Sequence, residues 1–125
     1  MENYFLEKTI KTPRISADKT GIISIEGICI SENVFADLGG IVSWLDAYME
    51  IPAEETTMNV RLDYYNTSTA AVLRDMFKTL QRLKSGGKKV TVNWYYDDED
   101  SDTEDSGYHY ASMVDVEFNV IPYRK

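Results

Sequence analysis

Between Met58 and Tyr96 the hydrophobic period changes from two to about three and a half and back to two. That pattern restricts the fold more than any other feature. In MNVRLDYY, residues 58–65, Met58, Val60, Leu62 and Tyr64 alternate with Asn59, Arg61, Asp63 and Tyr65, the period of a strand. Val72, Leu73, Met76, Phe77, Leu80 and Leu83 then recur at helical spacing up to SGG at 85–87, where glycine supplies a left-handed C-terminal cap. KKVTVNWYY follows as a second strand with Val90, Val92, Trp94 and Tyr96 on one face. Strand, helix and strand joined by short loops make a βαβ unit, expected to be parallel and right-handed.

The flanking segments extend the same α/β plan. Residues 9–30 read as a hairpin: TIKTPRIS holds a proline suited to an edge strand, and ADKTG is turn chemistry before the apolar run IISIEGICI. From Ser31 onward Val34, Phe35, Leu38, Ile41, Val42, Leu45, Tyr48 and Met49 mark an amphipathic helix, with Ser31 or Asn33 as cap and Pro52 beyond its end. The Gly39-Gly40 pair lowers helix propensity and allows close packing. Residues 97–107, DDEDSDTEDSG, read as a solvated acidic loop, YHYASMVD as a short helix, and VEFNVIPY as a last strand. The expectation is one domain over residues 1–125, a mixed sheet of about five strands packed with about three helices.

Charge narrows the function. A formal net charge of −8 disfavours nucleic acid, whose phosphates require a basic face. No apolar run is long enough for a bilayer, and MENYFLEKTIKTP is not a secretory signal. The single cysteine, Cys29, lies in an apolar run and reads as a small buried hydrophobe in a reducing compartment, so the expected location is the cytoplasm.

Few residues carry recognisable chemistry. In an EF-hand register starting at Asp98, Asp100 and Asp102 fall correctly, but Thr103 replaces the turn glycine and His109 the final glutamate. Starting at Asp102 places Gly107 correctly and leaves Met113 at the last position. No metal site is expected. His109, the sole histidine, reads as a surface residue without an orienting partner, and SGG follows a helix where a phosphate loop would precede one. No catalytic residue or cofactor is expected. Tyr64, Trp94 and Tyr96 read as core, with Tyr65 and Tyr95 on the other side of the same sheet edge.

The stretch Asn66-Thr67-Ser68-Thr69 is different, because three successive hydroxyls stand where one N-cap oxygen is enough. No Glu or Gln completes a capping box, since Ala70, Ala71 and Val72 occupy the positions three residues on. The corner lies at the carboxyl end of a strand, where open α/β sheets place their sites. From the residues alone, cap and functional site both stay open.

LDYYNTST, the helix after it, WYYDDED and YASMVD together resemble the SiaC family of bacterial regulatory phosphoproteins, relatives in architecture of the STAS anti-sigma-factor antagonists. The resemblance implies a STAS-like domain and a partner switch. A Ser/Thr kinase of anti-sigma-factor type phosphorylates it, a PP2C-type phosphatase reverses this, and the unmodified form activates a diguanylate cyclase in cyclic-di-GMP and biofilm signalling. Thr67 takes the acceptor place with Ser68 as the alternative, Thr69 stands for a family serine, and Tyr65, Asn66, Thr67, Ser68 and Thr69 form the partner-binding edge. The runner-up reading is a small-ligand or metal-binding domain using the aromatic edge and the acidic loop.

Overall fold

In the computed structural model, which describes residues 1–124, the chain runs β1 (Tyr4–Leu6), β2 (Arg14–Asp18), β3 (Ile22–Cys29), α1 (Val34–Tyr48), β4 (Glu55–Tyr65), α2 (Thr67–Ser85), β5 (Lys89–Asp97), α3 (Ser101–Met113) and β6 (Glu117–Tyr123). The strands form one mixed sheet in the order of the sequence, with β1, β2 and β3 antiparallel and β3 to β6 parallel. The sheet thus has six strands where about five were expected. The addition is β1, three residues too short to show a period.

One face of the sheet carries the core. Ile25, Val60 and Trp94 lie in register across β3, β4 and β5, and they cluster with Leu38 and Ile41 of α1, Leu73, Met76, Phe77 and Leu80 of α2 and Tyr110 of α3. Covering these side chains is the dominant stabilising term, at about 25 cal/mol per Å² of apolar surface removed from water. The opposite face is polar and ordered by an amide ladder. Asn119 Nδ2 donates to Asn93 Oδ1 and Asn93 Nδ2 to Asn59 Oδ1, each at 3.0 Å.

Three local expectations change. Phe35 lies on the solvent side of α1 at 85% exposure, and Trp44 takes a core place instead, its indole N–H donating to the Glu2 carbonyl at 2.8 Å. Within the glycine pair only Gly40 is required by packing, because a side chain there would collide with the Tyr4 ring, while Gly39 has open space. The third change is in the acidic stretch, whose residues from Ser101 onward form the first turns of α3. Asp100 caps that helix by accepting from Thr103 N at 3.1 Å, and Asp102 and Glu104 sit in its first turn, where the helix dipole favours carboxylates. Because the segment is helical from Ser101, neither calcium-loop register can form.

Strand β4 also departs from strict alternation. The pairing of β3 with β4 slips between Gly27 and Ile28, so that Gly27 faces Leu62 and Ile28 faces Tyr64. Gly27 has φ of 121°, a region open to glycine. The extra residue reverses the parity of the last positions of the strand: Tyr64 is turned outward, at 62% exposure, and Tyr65 packs edge-on against Trp94 with ring centroids 5.9 Å apart. The expected core set Tyr64, Trp94 and Tyr96 is therefore corrected to Tyr65, Trp94 and Tyr96.

Helix α3 reaches the sheet through Gly107, where an added Cβ would stand 2.5 Å from Trp94 Cδ1. Gly107→Ala is expected to destabilise the protein by about 1–3 kcal/mol through overpacking. Gly39→Ala should leave stability unchanged or slightly raised, since alanine is the better helix former. Urea midpoints of the two variants check this pair.

Candidate functional site

The corner between β4 and α2 is organised by a carboxamide. Asn66, in extended conformation, accepts from Thr69 N at 2.9 Å and is the N-cap of α2, so none of the three hydroxyls serves as the cap. Its Nδ2 donates to the Ser31 carbonyl at 2.9 Å, and its backbone N–H to the Cys29 carbonyl at 3.2 Å. One side chain thereby ties the start of α2 to the end of β3 and the approach to α1. In that approach Ser31 Oγ donates to Asp37 and accepts from Asn33 N, and Asn33 caps α1.

The hydroxyls divide by direction. Thr69 is 1% exposed; its Oγ1 donates to Asn66 Oδ1 at 2.8 Å and lies 3.0 Å from the buried Cys29 sulfur. The expectation that Thr69 touches a partner is corrected on that ground, because its side chain is spent inside the corner. Thr67 and Ser68, the first two helical residues, are exposed. The backbone N–H groups of a first helical turn have no intrahelical acceptor, which makes this end electropositive.

Beside Thr67 opens a cleft of ≈ 620 Å³ between α2 and α3. Tyr65 and Tyr110 line it, as do the carboxylates of Asp63, Asp100, Asp102 and Asp105. Burial, and after it the charge and hydroxyl of Tyr65, hold the Tyr110 phenol well above its ordinary pKa. Tyr110 stays protonated and donates to the Ala70 carbonyl at 3.4 Å, joining α3 to the first turn of α2. His109 lines the same cleft.

Of the expected edge, Asn66 is half-buried scaffold, Tyr65 is half-buried with one side on the cleft, and Thr67 and Ser68 are open to solvent. Sequence reading missed the contribution of α3. The available signal was Asp100 with Thr103 three residues on and further carboxylates after it, a helix-start pattern obscured by the density of charge. Asn66→Ala is expected to cost about 1–2 kcal/mol by removing the cap. Thr67→Ala should stay within about 0.5 kcal/mol of wild type, as is usual for an exposed side chain. Chemical denaturation measures both.

Comparison with known proteins agrees with this architecture. SiaC of Pseudomonas aeruginosa in complex with the diguanylate cyclase SiaD matches with a TM-score of 0.90, covering 96% of this chain and 99% of the other at 22% identity. Apo-SiaC of the same organism matches at 0.89, covering 97% and 99% at 23% identity. At such identities the likeness shows the fold. An uncharacterised protein of P. aeruginosa strain UCBPP-PA14 is 28% identical over 98 residues, 78% of each chain. No helix among the described residues is long and apolar enough to cross a membrane. Residues 6–123 match the family model for SiaC family regulatory phosphoproteins, and the chain belongs to that family.

Proposed function

We propose that this chain is a phospho-switched adaptor whose acceptor is Thr67. In this reading a Ser/Thr kinase of anti-sigma-factor type adds the phosphate and a PP2C-type phosphatase removes it. The unmodified form binds and activates a diguanylate cyclase, as the SiaD complex of the P. aeruginosa relative suggests. The protein works by binding and performs no chemistry of its own. The observation that carries the reading is the division of labour at the corner: Asn66 caps the helix and Thr69 faces inward, so Thr67 and Ser68 are exposed and free of the capping duty.

The physics of the modification depends on that position. A phosphate adds about −1.5 to −2 charge and three acceptor oxygens. At the N-terminus of α2 the dipole favours it by about 0.3–1 kcal/mol against the repulsion of the nearby carboxylates, and on an exposed side chain it stays hydrated and screened, so the fold survives. In a complex covering the same edge, a hydrated dianion must be desolvated or left unpaired, which costs several kcal/mol. The switch therefore acts by local exclusion and requires no rearrangement of the domain.

Incubation with the cognate kinase and ATP is expected to add one phosphate by intact-mass spectrometry, and Thr67→Ala to abolish it. A single phosphate retained in that variant and mapped to Ser68 would move the acceptor by one residue. In calorimetry against the cognate cyclase, Thr67→Asp is expected to weaken the complex by a few kcal/mol with little change in melting temperature. Thr67→Ala should bind as wild type. Equal affinities for wild type, Ala, Asp and phosphorylated protein would remove this edge from the interface.

A further inference from the structure

The edge around Thr67 has two chemically unlike flanks. Toward β3 and α1 it is apolar. Phe35 is 85% exposed in the first turn of α1, and Ile28, at 39%, pairs in register with Tyr64. The extra residue in β4 turns Tyr64 away from the core, onto the side where Ile28 already stands by the alternation of β3, and bulges of this kind re-aim side chains beside functional sites. The Asn66–Ser31 hydrogen bond holds the approach to α1 against the start of α2, so this flank adjoins Thr67. Toward β5 and α3 the edge is acidic. The cleft there is walled by Asp63, Asp100, Asp102 and Asp105, and no Lys or Arg among the described residues lines it. Thr67 stands between the flanks, because β4 lies between β3 and β5 in the sheet.

We infer that this edge is the docking surface for a basic, apolar-anchored protein segment, whose hydrophobic side chains cover Phe35, Ile28 and Tyr64 while a Lys or Arg enters the acidic cleft. The inference rests on the switch proposed above and names the chemistry of its partner. Charge complementarity selects the occupant: on a chain of net charge −8, four carboxylates around a cleft repel an acidic segment and draw in a cation. The aromatic lining from Tyr64, Tyr65 and Tyr110 suits the aliphatic stem and charged head of such a residue. The apolar flank supplies anchors of the kind that carry most of the binding energy in interfaces. A segment spanning both flanks crosses Thr67 with its apolar part while its cation is held in the cleft, so a charge on residue 67, phosphate or carboxylate, is covered without a partner and opposes docking.

Two measurements test this. In the first, the full chain is titrated with a synthetic amphipathic peptide of leucine and lysine, and with the same peptide carrying glutamate for lysine, followed by amide NMR. Shifts confined to the Ile28, Phe35, Tyr64 and Asp105 edge with the lysine peptide, and none with the glutamate peptide, are expected. Shifts spread over other faces, or equal response to both peptides, would overturn the inference whatever the cyclase does. In the second, affinity for the cognate cyclase is compared among wild type, Phe35→Ser, Asp105→Lys and Asp105→Asn. Phe35→Ser and Asp105→Lys should each weaken the complex by roughly tenfold or more, with Asp105→Asn between wild type and Lys. Affinity of the wild type should also fall as salt rises from about 50 to about 500 mM. Both positions are exposed, and unchanged circular dichroism melts confirm folding. If Thr67→Asp weakens the complex while these variants bind as wild type, the switch stands and the proposed segment chemistry is wrong.

Discussion

Four parallel strands laid down in sequence order impose most of what is distinctive here. Each link from β3 to β4, β4 to β5 and β5 to β6 must cross over the sheet and return to the neighbouring strand in the same direction. Crossovers of one hand between successive neighbours all lie on one face. The helices accordingly bury one side of the sheet, and their N-termini gather at the edge where β3, β4 and β5 end. Asn33, Asn66 and Asp100 cap the three helices there. The fold thus delivers exposed hydroxyls, helix dipoles and a carboxylate-lined cleft to one place.

At that edge, a single carboxamide separates structure from function. Asn66 satisfies the amide of Thr69, holds the Ser31 carbonyl and lets the Thr69 hydroxyl turn inward toward Cys29. The corner is complete without Thr67 or Ser68. A modification at either residue therefore leaves the capping bonds in place, which is what a switch needs if the modified protein is to remain folded and be restored later. The extra residue in β4 adds a second asymmetry, since it turns Tyr64 outward beside Ile28, next to a Gly27 whose backbone conformation favours glycine.

The acidic segment has two roles that its composition conceals. As the start of α3, its carboxylates complement the dipole and Asp100 caps the helix; as one wall of the cleft, they set the sign of the field beside Thr67. Tyr110 links these roles. It packs among Phe77 and Trp94 and donates to the Ala70 carbonyl in the first turn of α2.

By itself the sequence determined the βαβ unit, the hairpin before it, the apolar face of α2 and the hydroxyl-rich stretch at the start of that helix, because alternation, helical spacing and caps are local properties of a chain. Val90, Val92, Trp94 and Tyr96 are buried as their period requires, as are Leu73, Met76, Phe77, Leu80 and Leu83. Only the tertiary structure decided which tyrosine of the pair 64 and 65 faces the core, since one unpaired residue in β4 inverts every later position and no local pattern announces a slip of register. It also decided that Phe35 is outside and Trp44 inside, a matter of where β1 and the N-terminal residues lie against α1. The choice among Asn66, Thr67, Ser68 and Thr69 belongs to the same class. All four can cap or be modified in isolation, and contacts with Cys29 and Ser31, from a strand and loop more than thirty residues earlier, assign Asn66 and Thr69 to the scaffold and leave Thr67 and Ser68 to solvent.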